Sequence, residues 1–363
     1  MEFILKNIHK IKILYAVNGD GLGHAGRSIP IILHLAKKHD VLVLAGSKRA
    51  AEFIRKKYPN TIRYNGWSFQ YNNNSLDLLN SLKKNILNTF NEENIKKTYP
   101  LIKNYSPDII LTDCDHLTIY QGIFLKKPII CICNLHCLSE MKFDVDKKYK
   151  SAYDINKILY NTLSDKIDYH ILTTFLDYPI NANKKNKVFV YPPVLRNEII
   201  DAKPLRKNHY LVYQTSTTNK KLINILKKTS TKFIVYGFDK DETDKNIIFK
   251  KTNDDQFFKD FKNCRACITN GGHSFISEAI AMHKPILSIP IKYQFEQILN
   301  ALEIEKKGYG IMCEDITLSC LNDFIKNNDK YYKNLKEINI RNKNNNKHIF
   351  SKIDELIKKL VKI

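Results

Sequence analysis

The chain reads as an α/β protein of two domains, each with a mainly parallel sheet covered by helices. Three observations predict this. Short apolar runs of strand length alternate with helix-length segments, and the alternation starts afresh in the second half. Each half carries a glycine-bearing turn between a strand and a helix, at Gly19–Gly26 and at Gly271–Gly272. A polar, proline-marked stretch from Tyr191 to Pro204 separates the halves.

In the first half, residues 11–17 are an apolar strand, 18–28 a glycine-rich turn, and 29–38 a helix with Pro30 early, where it is tolerated. Residues 41–44 form the next strand and 48–57 the next helix. Residues 108–112 and 128–133 repeat the strand pattern. The second half restarts with a strand at 210–213, a polar turn at 214–219, a helix at 220–228 and a strand at 232–237. After residues 257–261, the apolar run 266–268 leads through Asn270-Gly271-Gly272 into a short helix, then through Lys284-Pro285 into a strand closed by Pro290. The expected division is 1–195 for the first domain, 196–206 for a hinge, 207–345 for the second domain and 346–363 for a C-terminal helix. Ile349, Phe350, Ile353, Leu356, Ile357, Leu360 and Val361 share one face of that helix. It is expected to pack, and it can return to the first domain.

Composition narrows the function classes. A chain of 363 residues with 43% apolar and 11% aromatic residues has enough apolar surface for two cores. No apolar run reaches the roughly 18 residues of a membrane span. The first residues show no cleavage site, so a signal peptide is not expected and the expected location is the cytoplasm. Lys+Arg 59 against Asp+Glu 37 gives a net charge of +22. That excess draws polyanions, an anionic membrane surface among them. The lysines are spread along the chain and no arginine-rich block stands out, so nucleic acid is not an expected partner.

Eight cysteines raise the question of a metal. Cys131, Cys133 and Cys137 stand near His136, and Cys264 and Cys267 form a CxxC pair, so one zinc site could draw on both. The alternation of Cys131 and Cys133 with Ile130 and Ile132 instead marks a buried strand. Buried thiols are the preferred reading, and no metal is expected.

Two turns carry chemistry. A Gly-Gly turn opening a helix brings backbone N–H groups and a helix N-terminus against a phosphate. The glycine-rich turn Gly19-Asp20-Gly21-Leu22-Gly23-His24 lets backbone approach a ligand from the other domain. A dinucleotide fold would place an acidic residue at the end of the second strand, and Ala45-Gly46-Ser47 offers none.

Two α/β domains, the glycine-rich first turn and the Gly-Gly unit with Glu278 together resemble the GT-B glycosyltransferases. The resemblance extends to the superfamily of the lipid I N-acetylglucosaminyltransferase (glycosyltransferase family 28-like) and to an archaeal and bacterial glycosyltransferase-like group. It covers most of the chain, is clearest from Cys267 to Tyr309, and is faint from Ser68 to Tyr99. It implies two Rossmann-like domains facing a cleft, with a nucleotide-sugar donor on the second. By position, Asn270, Gly271, Gly272, His273 and Ser274 would surround the diphosphate and Glu278 would accept ribose hydroxyls. Gln294, Gln297 and Asn300 would contact the donor sugar. Gly21, Gly23 and Ser216 would approach the phosphates. The chain departs from the family at Asn270, where His or Arg is common, and at Gln214-Thr215-Ser216, where Gly-Gly-Ser is usual.

His24 is the natural general base, because imidazole titrates near neutrality. Asp113 and Asp115, in Asp113-Cys114-Asp115-His116, border the cleft and could be the base or could orient His24; a D-x-D manganese site belongs to a different fold. Asn134 and His136 would line the acceptor side. The expected activity is inverting transfer of a sugar, an N-acetylhexosamine among the candidates, from a UDP-sugar to a lipid-linked or glycan acceptor, with no cofactor required. A nucleotide-sugar hydrolase or epimerase and a non-catalytic nucleotide-binding protein are the alternatives. Leu78, Leu79, Leu82, Ile86, Leu87 and Phe90, with Lys83 and Lys84 between them, read as a basic amphipathic helix that could rest on a membrane's inner face or pack on the first domain.

Overall fold

The computed structural model describes residues 10–72, 74–214, 219–338 and 343–362. Within them the chain forms two domains, each on a seven-stranded sheet. The first domain contains β1 (Lys12–Val17), β2 (Asp40–Ala45), β3 (Thr61–Arg63), the hairpin β4 (Tyr71–Asn72) and β5 (Ser75–Leu76), β6 (Ile109–Asp113), β7 (Ile129–Cys133), β8 (Tyr169–Thr173) and β9 (Val188–Tyr191). Its sheet runs β3-β2-β1-β6-β7-β8-β9, with the pairs parallel throughout. The second domain contains β10 (Tyr210–Tyr213), β11 (Phe233–Tyr236), β12 (Glu242–Asp244), β13 (Ile247–Phe249), β14 (Ala266–Thr269), β15 (Ile286–Ser288) and β16 (Gly310–Met312). Its order is β12-β13-β11-β10-β14-β15-β16, and only the edge strand β12 is antiparallel.

Both faces of each sheet are covered, which is why the strands read as continuous apolar runs. β1 sends Ile13, Tyr15 and Val17 into one core and Leu14 into the other. β10 splits Tyr210 and Val212 from Leu211 in the same way. In each sheet the strand order reverses beside the first strand, between β1 and β6 and between β10 and β14. Crevices open at such points, and there the two glycine-bearing turns lie.

The first turn is shorter than the sequence suggested. The helix Leu22–Leu35 begins directly after Gly21, whose φ of 78° supplies a left-handed entry. Gly23 and Gly26, poor helix formers, face other chain segments: a Cβ on Gly23 would meet the Ser274 side chain at 3.0 Å, and one on Gly26 would meet Arg196 at 3.7 Å. Pro30 therefore stands well inside the helix rather than near its start.

The C-terminal helix Lys343–Val361 crosses back to the first domain. Ile349, Ile353, Leu356 and Ile357 join the core beneath β1. His34 stacks on Phe350 and its Nε2 lies 2.9 Å from Asp354. The two domains also touch through the hairpin: Leu76 N–H donates to Lys292 O at 2.9 Å and Lys292 N–H to Asn74 O at 3.0 Å.

Candidate active site

On the first domain, the helix Leu22–Leu35 holds His24 and Arg27 one turn apart, over the end of β6. The fully buried Asp113 accepts two hydrogen bonds from Arg27, from Nε at 2.7 Å and Nη2 at 2.6 Å. Burial alone would favour neutral arginine. The Asp113 charge overrides it and raises Arg27 above its ordinary value. His24 Nδ1 lies 3.1 Å from Asp113 Oδ1 and 2.8 Å from Arg27 Nη2. The carboxylate only accepts and the guanidinium only donates. The two neighbours ask opposite things of Nδ1: with the proton on Nδ1, shared with Asp113, Nε2 keeps a lone pair and is a base, whereas an Nδ1 that accepts from Arg27 leaves the proton on Nε2. Asn18 braces the lip, donating to Cys114 O at 3.0 Å and accepting from Asp20 N–H at 2.9 Å.

On the second domain, Gly271 turns the chain after β14 with φ 104°, and Gly272 caps the helix His273–Ala281. No side chain caps the N–H groups there, and a Cβ on Gly272 would meet nothing within 4 Å. The helix thus opens onto free space with its N–H groups forward, the arrangement that receives phosphate. The turn is held from behind: Asn300 donates to Gly271 O at 3.0 Å, Gln297 Oε1 accepts from Ile291 N–H at 3.0 Å, and Asn270 donates to Gln214 Oε1 at 2.9 Å. Around it, Gln214 Nε2, His273 Nδ1, Ser288 Oγ, Gln294 Oε1 and Asn300 Oδ1 are buried polar atoms with no hydrogen-bond partner. Buried polar atoms are rarely left so, and a polar ligand at this turn would account for them.

The two lips meet. Arg27 Nη1 donates to Ser274 Oγ at 3.1 Å, and Ser274 Oγ donates to Gly23 O at 3.1 Å. Asn134 Nδ2 donates to Glu296 Oε1 at 3.3 Å. Burial raises the Glu296 carboxyl above its usual range, against the pull of Arg27 and His24, and burial does the same to Asp20. Arg196, between β9 and β10, forks onto Glu278 with bonds of 2.7 and 2.8 Å.

Several expectations change. Asp115 is a helix cap: Oδ1 accepts from Thr118 N–H at 3.0 Å and Oδ2 from Tyr64, so both oxygens are engaged. Burial lifts its pKa to about 6. His136 is buried against His170, Nδ1 to Nδ1 at 2.9 Å, rather than on an acceptor rim. His273 stacks on Phe175, and burial drives it well below its ordinary value, which disfavours the cation. Asn270 and Gln297 brace the turn, and Asn300 does so through Nδ2 while its Oδ1 has no hydrogen-bond partner. Ser216 lies outside the described residues. The shared zinc site of the two cysteine groups is ruled out by placement, since Cys131, Cys133 and Cys137 are in the first domain and Cys264 and Cys267 in the second. Six cysteines are free and buried, and Cys313 and Cys320 are joined as a disulfide.

Sequence reasoning missed Arg27 and Arg196. Arg27 had one signal, its place one helical turn after His24. Arg196 had none, because its partner is 82 residues away.

Comparison with known proteins agrees with this architecture. The family model for glycosyl transferase family 1 matches residues 11–328. An uncharacterized glycosyltransferase of Methanosarcina acetivorans is 25% identical over 359 residues, covering 89% of this chain and 92% of the relative. Among solved structures, a UDP-glucosyltransferase from Polygonum tinctorium superposes with a TM-score of 0.67 at 13% identity, over 98% of this chain and 99% of that one. MurG of Acinetobacter baumannii does so with a TM-score of 0.58 at 12% identity, over 95% and 99%. At such identities the superpositions speak for the fold, which is GT-B.

Proposed function

The chain belongs to glycosyl transferase family 1 and is a glycosyltransferase of GT-B type, and on that premise we propose that it transfers a sugar from a UDP-sugar with inversion. The observation that carries this is the His24–Asp113 pair, 3.1 Å apart, set against the open helix N-terminus at Gly272 across a gap bridged by Ser274. His24 Nε2 takes the proton of the acceptor hydroxyl as its oxygen attacks the anomeric carbon. In that tautomer Asp113 accepts from the Nδ1–H. Backbone amides of the Gly271–Ser274 turn receive the departing diphosphate, so the reading calls for no divalent metal in the chemistry. Glu278, held by the Arg196 fork, retains lone pairs for ribose hydroxyls.

Product analysis with labelled UDP-N-acetylglucosamine and a panel of acceptors tests this. Turnover that persists undiminished in His24→Ala and Glu278→Ala would sink the assignment. Free sugar or an epimer formed without acceptor would favour a hydrolase or epimerase. Tight UDP binding with no turnover would favour a nucleotide-binding protein.

A lipid-linked acceptor is favoured by the helix Leu78–Asn88, whose polar face is turned inward. Asn85 donates to Ser68 O at 2.7 Å and Ser81 Oγ accepts from Gln70 N–H at 2.8 Å. Leu79 and Leu87 are left 81% and 59% exposed, beside exposed Lys83 and Lys84. A cavity of about 510 Å³ runs between this helix and Tyr71, which reaches Asp20 at the catalytic lip. Exposed leucines flanked by lysines suit an anionic lipid surface. Sedimentation with anionic liposomes checks it: binding should weaken with salt and in Leu79→Asp, and no binding at low salt rejects a membrane role.

A further inference from the structure

Beneath the catalytic lip lies a set of soft ligands that sugar transfer does not use. β7 turns Cys131 and Cys133 to the face opposite Ile130 and Ile132, and the chain then folds His136 back toward them. The Cys114 sulfur, the Cys133 sulfur and a ring nitrogen of His136 all lie within 4.8 Å of one another. Cys131 Sγ is 3.6 Å from Cys133 Sγ, and Cys131, His136 and His170 form a second group on the same terms. All five residues are buried.

We propose that Cys114, Cys133 and His136 bind a zinc ion that ties the end of β6 to the end of β7, with Cys131, whose sulfur is 3.6 Å from that of Cys133, as the fourth ligand drawn in on binding. Zinc–sulfur bonds of ~2.3 Å in a tetrahedron put ligand sulfurs ~3.8 Å apart, close to the Cys131–Cys133 separation. The histidine is prepared for the role. His170 Nε2 faces the Ser164 carbonyl at 3.2 Å, and a carbonyl only accepts, so a neutral His170 carries its proton there. Its Nδ1 then accepts from His136 Nδ1–H, and His136 Nε2 keeps a lone pair for metal. Metal-binding histidines are oriented in this way by a partner on the other ring nitrogen. Cys114 adds a separate sign: it is a non-glycine residue held at φ 53°, a conformation that persists where the surroundings demand it. It directly follows Asp113, so an ion there would brace the strand end that carries the catalytic carboxylate. Cys264 and Cys267, with sulfurs 3.7 Å apart, sit beside the Lys284 ammonium, which donates to Cys264 O at 2.7 Å. They make a thiol pair without a histidine and serve as a control.

The test uses the full chain, reduced and handled without oxygen. Zinc content by mass spectrometry should approach one ion per chain. Cobalt(II) should replace it with thiolate-to-metal charge-transfer absorption and the intense visible bands of tetrahedral cobalt. Both signals should be lost in Cys133→Ser and His136→Gln and kept in the Cys264→Ser/Cys267→Ser variant. In the wild type, modification of the thiols should release zinc to a chromogenic chelator, a readout independent of whether a variant folds. A folded, reduced wild type that takes up neither ion overturns the proposal, and so do cobalt bands that survive Cys133→Ser.

Discussion

Asp113 faces two partners with opposite needs. It neutralises Arg27, whose guanidinium is nearly as buried as itself, and it lies 3.1 Å from His24 Nδ1, which Arg27 Nη2 also approaches. His24→Ala should cut transfer by roughly 10²–10⁴, the usual worth of a general base, while leaving UDP binding nearly intact by calorimetry. Asp113→Asn should lower activity and stability together, because it strands a buried cation at a cost of about 3–5 kcal/mol. Glu296 is a carboxyl that pays for its position. Its folded pKa is raised by burial, so the native state holds the proton more tightly than the unfolded chain. Stability is then fullest near and below the ordinary carboxyl range and falls as pH rises through the folded value. Glu296→Gln should therefore raise the melting temperature at pH 8 more than at pH 4.5, while activity drops. An equal rise at both pH values would remove the argument.

At the scale of elements, the turn between β14 and the helix His273–Ala281 offers a paired experiment. Gly271 has φ 104°, and a Cβ there would approach Gln297 O to 2.9 Å. Gly271→Ala should destabilise the second domain by about 1–3 kcal/mol and weaken donor binding with it. Gly272 has φ −63° and open space at its Cβ. Gly272→Ala should fold with a melting temperature close to the parent yet bind UDP more weakly in the same thermal-shift assay, because the added methyl occupies the ligand's space. The strand–turn–helix order at this site was legible from the glycines and the apolar run. The first helix was misjudged by seven residues at its start, because Gly23 and Gly26 look like turn residues until Ser274 and Arg196 are seen against them.

For the whole molecule, the terminal helix and the segment between β9 and β10 tie the two domains together. Ile353 is buried under β1 although it is far away in sequence. Ile353→Ala should cost about 2–5 kcal/mol in denaturant unfolding, expressed in the first domain rather than the second. Arg196 with Glu278 and Arg27 with Ser274 tie the lips at separations of 82 and 247 residues.

The sequence by itself determined the two parallel sheets and the glycine turns at their crevices, and it named His24, Asp113 and Glu278 as candidates for the chemistry. Hydrophobic alternation and glycine placement are local signals, written within a few residues of the structure they produce. Only the tertiary structure decided which polar residues face the cleft and which hold it from behind. Asp115 became a cap, His273 and His136 became buried rings, and Asn300 turned to a backbone carbonyl. Those outcomes depend on what lies opposite each side chain after folding, and burial and hydrogen-bond partners drawn from distant segments leave no trace in a local pattern.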